Sequence, residues 1–173
     1  MTGADAMSGL EIRPARPDEW AAVGGLRWDP NREFGGEPDD TREAFATRFA
    51  AWAAVHGAHE CFVAVEDGRV LGMTWLAILD RVPSARLFDR ASGDLQCAYV
   101  VPDRRDDGIG GRLIDVVLAR AEELGLERVT VHSSPRAVAV YERHGFTSGD
   151  DRLLHAFLTH TDIFTTGARP GRP

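Results

Sequence analysis

A mixed α/β fold, a central sheet with helices on its faces, is what the sequence predicts, and three observations carry it. Runs rich in β-branched, aromatic and aliphatic residues alternate with stretches of helical periodicity in the order β, α, α, β, β, β, α, β, α, β. An Asp67-Gly68 pair between two such runs marks a tight hairpin. A third strand stops at Pro102 and leads through a glycine-rich turn directly into an amphipathic helix.

Residues 10–13 read as a short strand ended by Pro14 and Pro17, and residues 18–28 as a helix. Residues 29–43 are rich in Gly, Pro and Asp, with six acidic residues against two arginines, so part of this stretch is expected to be loop. Over residues 41–56, Phe45, Phe49, Trp52 and His56 recur at three- and four-residue spacing, along one face of a helix. Residues 61–65 and 70–79 form the hairpin, and residues 95–101 the next strand, after a connection carrying Pro83 and Gly93. The helix that opens at residues 108–111 runs to about Leu124 on a stripe of Leu113, Ile114, Val117, Leu118, Ala121 and Leu124, and Gly125 closes it. Residues 128–131 give a short strand. Ser134 and Pro135 read as N-cap and first residue of a helix ending at His144-Gly145, and residues 153–158 as a last strand. One domain is expected over residues 10–164, between a flexible N-terminus (1–9) and a disordered tail (165–173).

The 173 residues are 43% hydrophobic and 27% charged, which excludes disorder, and no apolar run is long enough for a membrane. A net charge of -7 argues against nucleic acid as a partner. All 20 basic residues are arginine, which removes Schiff-base lysine chemistry and the phosphate loop ending in Lys-Ser/Thr. Cys61 and Cys97 lie in apolar runs and are expected as reduced, buried thiols of a cytoplasmic protein, and the first eight residues lack the apolar core of a secretory leader. His155 and His160 have no metal-ligand spacing, so no metal is expected.

The segment carrying most chemistry is VVPDRRDDGIGGRL, residues 100–113. A glycine-rich turn between a strand and a helix exposes unpaired backbone N–H groups at the positive end of the helix dipole, a place for a diphosphate. A plain tight turn needing positive φ is the alternative reading. A dinucleotide-binding GxGxxG is disfavoured because its third glycine falls on Leu113.

Val100, Pro102, Arg105, Gly108 and Gly110 resemble in register the hydrophobic-x-Pro-x-x-Arg-x-x-Gly-x-Gly signature of the GNAT superfamily of N-acetyltransferases. Ala137, Tyr141, Gly145 and Phe146 within SPRAVAVYERHGF resemble its second signature, in the right order and spacing. The resemblance implies a GNAT-like sheet in which two parallel strands, ending near Val101 and Val131, splay into a slot for an acyl-CoA. It implies acetyl-CoA as donor, held at Val100, Val101, Arg105, Asp106, Asp107, Gly108, Ile109, Gly110, Gly111 and Ser134, with a backbone N–H near Val100 facing the oxyanion. Asp106 and Asp107 depart from the Gly, Lys or Asn more usual in that turn, and Ser134 stands where the family often has Asn, its capping role being the alternative. An acetyl group would pass directly to a primary amine of a small molecule or peptide.

A primary amine of pKa near 10.4 is protonated at pH 7, and freeing it costs about 4–5 kcal/mol, so a base or a water chain leading to one is expected. Asp94 stands at the register of the family's glutamate base, with Gln96 on its face, and Tyr141 at that of the proton donor to the leaving thiolate. Asp94 also reads as a strand-edge turn residue and Tyr141 as a core aromatic. A lone His132 is read as structural, and Trp28, Trp52 and Trp75 as core or pocket walls, Trp75 bordering the acceptor. Arg104, Arg105 and Arg112 partly offset Asp106 and Asp107 beside the diphosphate. The acidic stretch of residues 29–43 is either a solvated loop or an attractor of polycations. The family often pairs, leaving a homodimer open. A silent acyl-CoA-binding sensor or scaffold is the alternative to an enzyme.

Overall fold

The structure, a computed structural model, describes residues 9–35 and 38–148. The chain divides into two compact units, Met1–His132 and Ser133–Pro173. The expected strand at residues 153–158, His155, His160 and the tail lie outside the described residues.

The first unit contains β1 (Glu11–Pro14), α1 (Trp20–Trp28), α2 (Pro30–Phe34), α3 (Arg42–Ala53), β2 (His59–Glu66), β3 (Arg69–Arg81), β4 (Arg90–Val100), α4 (Ile109–Glu123) and β5 (Val129–Val131). The strands form one sheet in sequence order, antiparallel throughout except for the parallel pair β4–β5. Pro14 is tolerated inside β1 because β1 is an edge strand, where a missing N–H breaks no ladder. Asp67 and Gly68, at φ 49° and 76°, supply the two positive φ values a two-residue hairpin needs.

Helices α1 and α3 pack together on one face of the sheet, where Trp20 stacks on Trp75 at 5.8 Å and Phe49 meets it edge-on at 5.6 Å. Helix α4 covers the other face. Its Leu113 and Val117 are fully buried, and Leu113 Cδ1 comes within 3.2 Å of where a Cβ on Gly72 would stand. Of the stripe read from the sequence, Leu113, Ile114, Val117 and Ala121 form the buried face of α4, Leu118 is half-buried, and Leu124, at the helix end, is exposed. The helix stops where Gly125 N–H donates to Glu122 O (2.9 Å) and Leu126 N–H to Ala121 O (3.0 Å), the paired bonds of a glycine C-terminus.

Several boundaries differ from expectation, each for a local reason. The stretch of residues 29–43 is not all loop: Pro30 starts α2, and Asn31 Nδ2 donates back to Trp28 O at 2.8 Å. Helix α3 ends at Ala53 rather than His56, yet His56 still stacks on Trp52 at 4.5 Å. Gly93 is no turn residue, since β4 begins at Arg90 and Gly93 pairs with Ile78 and Val129. Cys61 is buried, but Cys97 is exposed, contrary to expectation; both thiols are free.

In the second unit, α5 spans Val138–Arg143. Ser134 does not cap it. Ala137 occupies the cap position without a side-chain bond, and Ser134 O instead accepts from Ala137 N (3.0 Å) in the turn that Pro135 opens. Tyr141 is buried and meets Phe146 edge-on at 5.4 Å, across a Gly145 terminus like that of α4.

Candidate active site

Val101 N–H donates to Leu71 O at 2.8 Å, the last backbone anchor before the turn. Pro102 then starts one 3-10 turn, and Asp106 and Gly108 take positive φ values of 69° and 76°. Among the described residues, the amides of Asp106, Asp107, Gly108, Ile109, Gly110 and Gly111 donate to no backbone carbonyl; the ladder of α4 begins with Arg112 N–H to Gly108 O (3.2 Å). A Cβ on Gly108 would meet nothing within 4 Å, and one on Gly110 only Val100 Cγ2 at 3.9 Å. Unpaired N–H groups therefore border open space at the positive end of a 15-residue helix, an arrangement suited to an anion. Buried Ile109 fixes the helix start to the sheet.

The charges around this turn are largely mutually engaged. Arg104 Nε donates to Asp107 Oδ2 at 2.8 Å, and its other nitrogens bind Glu66. Arg105 pairs with Glu33 of α2 at 2.7 Å, donates through Nε to Val100 O (3.0 Å) and lies over the Tyr99 ring at 5.4 Å. Tyr99 itself donates to Glu33, and burial together with that carboxylate pushes its hydroxyl pKa well above the usual phenol range. Among the described residues no carboxylate pairs with Arg112, in the first turn of α4. Asp107 is thus partly neutralised, and Arg112 is the cation left for an anion at the turn.

Strands β4 and β5 pair only over Gly93↔Val129, Asp94↔Thr130 and Leu95↔Val131. Beyond Leu95, β4 continues to Val100 without a parallel partner among the described residues, so the strands part. In the same stretch β4 holds one residue more than β3: Trp75 faces Gln96 while Met73 faces Tyr99, and Cys97 adopts φ 55°. Asp94 lies mid-strand, half-buried, rather than at a strand edge. Its Oδ2 accepts from Gln96 Nε2 (2.7 Å) and its Oδ1 from Thr130 Oγ1 (3.3 Å), a bridge across β4 and β5 just where they separate.

A cavity of about 270 Å³ opens on the α1/α3 face, lined by Arg27, Phe49, Trp52, His59, Trp75, Gln96 and Cys97. It adjoins the Cys97 bulge. Asp94 is one hydrogen bond behind it, through Gln96. Although its residue surface is exposed, the Cys97 thiol is partly enclosed by the cavity walls, which raises its pKa above the ordinary value, and the Arg27 guanidinium beside it opposes that shift. Three carboxylates of the acidic stretch are already held by arginines, Asp29 by Arg42 (2.7 Å), Glu33 by Arg105 and Asp40 by Arg48, which weakens the reading of this stretch as a polycation attractor.

The first unit therefore brings together Val100, Val101, Arg105, Asp106, Asp107, Gly108, Ile109, Gly110 and Gly111 at one corner, with Asp94 on the same strand β4. Tyr141 and Ser134 belong to the second unit. Arg27 on α1, Glu33 on α2, His59 on β2 and Tyr99 on β4 were not singled out from the sequence: nothing local marks the cavity that Arg27 and His59 face or the long-range contact that Glu33 and Tyr99 share. Trp75 and the α3 face were legible from their pattern.

The profile of the Acetyltransferase (GNAT) family matches residues 20–146. An uncharacterized N-acetyltransferase, YhfO, of Bacillus subtilis (strain 168) is 28% identical over 153 residues, covering 86% of this chain and 97% of the relative. A crystal structure of a GCN5-related N-acetyltransferase from Ralstonia eutropha JMP134 is similar at 25% identity and TM-score 0.66, over 86% of this chain and 99% of that one. A predicted acetyltransferase with acetyl-CoA from Clostridium acetobutylicum shares the fold at TM-score 0.69 and 20% identity, over 88% and 99% of the two chains. With the profile spanning most of the sequence and both signatures inside it, the chain belongs to the acetyltransferase (GNAT) family.

Proposed function

We propose that the protein is an N-acetyltransferase that moves an acetyl group from acetyl-CoA directly to a primary amine of a small molecule or peptide. The observation that supports this most is the row of unbonded amides at residues 106–111, beside open space and ahead of α4, in a chain of this family. That cradle fits the diphosphate of coenzyme A: backbone N–H groups need no side chain to reach the oxygens, and Arg112 adds a charge.

When bound, acetyl-CoA supplies an activated acyl group on a thioester, with a thiolate to leave. The chain's own residues do the rest. Residues 106–111 and Arg112 hold the diphosphate, and the parting of β4 from β5 admits the donor's arm toward Cys97. Asp94 accepts the proton of the acceptor ammonium through water next to Gln96. As the amine nitrogen bonds to the acyl carbon and the carbon–sulfur bond breaks, Tyr141 donates a proton at the leaving sulfur. Ser134 contacts the donor's arm. The site works in a soluble, cytoplasmic setting; among the described residues no helix is long and apolar enough to cross a membrane.

The test is thiol release from acetyl-CoA with a library of amines. Turnover with any amine supports catalysis. Coenzyme A binding without turnover on any amine would replace the enzyme with an acyl-CoA-binding module.

A further inference from the structure

The cavity on the α1/α3 face has a composition that narrows the acceptor. Its walls are flat: Trp75 lies 5.6 Å from Phe49 and 5.7 Å from Trp52, ring centre to ring centre. Among the described residues no carboxylate lines it. Its one formal charge is the half-buried guanidinium of Arg27, which has no carboxylate partner among the described residues, whereas Arg13, Arg42, Arg90, Arg104, Arg105 and Arg120 each hold one. A half-buried cation without a counter-ion favours an anionic ligand group. Two wall residues also carry buried polar atoms without a partner, the Trp75 indole N–H and His59 Nδ1. The polar inventory is thus weighted to donors and the apolar inventory to rings. A polyamine would meet repulsion from Arg27 and, among the described residues, no carboxylate in the cavity wall, Asp94 lying behind Gln96.

Position adds a second constraint. Arg27 sits beside Cys97, at the bulge of β4. In the acyltransferase reading, on which this inference rests, the acyl group arrives along the same stretch of β4. An anionic group on Arg27 and an amine beside Cys97 are then carried by one small molecule. An α-amino acid carries both, and about 270 Å³ suits a ligand of that size.

We infer that the acceptor is an aromatic α-amino acid. Its α-carboxylate pairs with Arg27, its ring lies against the cavity-facing side of the packed Phe49–Trp52–Trp75 cluster, and its α-amine faces Gln96 and Cys97.

Calorimetric titration of the full chain with L-phenylalanine, phenethylamine, L-alanine and spermidine, with and without coenzyme A, tests this. Phenethylamine keeps the ring and amine but lacks the carboxylate, so the wild-type comparison needs no variant. Phenylalanine should bind at least about tenfold more tightly than each of the other three, as expected for a charge-assisted pair plus ring burial. Arg27→Gln should bring phenylalanine to the level of phenethylamine. Equal binding of phenethylamine or spermidine by the wild type, or no binding of phenylalanine, overturns the inference. Thiol release separates the two readings: turnover with other amines and no phenylalanine binding leaves acyl transfer standing and removes this acceptor. Preferential phenylalanine binding with no thiol release from any amine keeps the pocket assignment and removes acyl transfer.

Discussion

Gly110→Glu separates cofactor binding from folding. Gly110 is the second residue of α4, and a Cβ there would meet only Val100 Cγ2, at 3.9 Å. Replacing a helical glycine by glutamate gains roughly 0.5 kcal/mol in propensity, and a carboxylate in the first turn gains about 0.3–1 kcal/mol from the dipole. The free protein should therefore be more stable by about 1 kcal/mol, a rise of roughly 2–4 °C in Tm for a chain of this length. The same carboxylate occupies the space beside the unpaired amides and repels phosphate. Coenzyme A at a hundred times its Kd should stabilise the wild type by about 2.7 kcal/mol. Thermal melts with and without coenzyme A should show that stabilisation disappear in the variant. A wild-type shift on adding coenzyme A would refute the cradle, and a free-protein Tm several degrees lower would refute the open space around Gly110. Gly108 is a poorer probe, because its φ of 76° costs about 1–2 kcal/mol for any side chain before a ligand is considered.

Three further outcomes are expected. Asp94→Asn should lower turnover by about a hundredfold and flatten the alkaline-rising limb of its pH profile, measured by thiol release; an unaltered profile removes Asp94 as the base. Tyr141→Phe should slow turnover roughly ten- to a hundredfold while leaving coenzyme A affinity by calorimetry within about twofold, and an unchanged rate removes the phenol from catalysis. Glu19, bonded to Arg13 at 2.7 and 2.8 Å, has its carboxyl held below the usual range by that guanidinium against an opposing effect of burial. A lowered native pKa means stability that is fully present at neutral pH and is lost as pH falls below the ordinary carboxylate range. Glu19→Gln should cost about 1–3 kcal/mol at pH 7 in urea melts, and the gap to the wild type should narrow progressively as pH falls below the ordinary carboxylate range, whereas parallel curves would contradict the assignment.

The parts of this molecule set by local chemistry were legible in its sequence. Asp67-Gly68 dictates its hairpin, the α4 stripe its buried face, and Gly108 with Gly110 the bare turn. What failed depends on partners distant in the chain. The Cys97 bulge arises from a mismatch with β3 between Met73 and Trp75, and nothing in a cysteine announces positive φ. Gly93 looked like a break but lies within a strand because β3 and β5 flank it, which moved Asp94 from an edge to mid-strand. Ser134-Pro135 has the residues of a helix start, yet the backbone spends them on a turn before α5. The engagement of Arg105 by Glu33, 72 positions away, and the placement of Arg27 beside Cys97 with no carboxylate partner among the described residues are tertiary facts with no local trace.

The most direct measurement is an amide NMR titration of the full chain with coenzyme A. Hydrogen bonds to phosphate should move the amide protons of residues 106–110 downfield together, saturating with one equivalent bound. Coenzyme A binding that leaves those resonances in place would contradict the account.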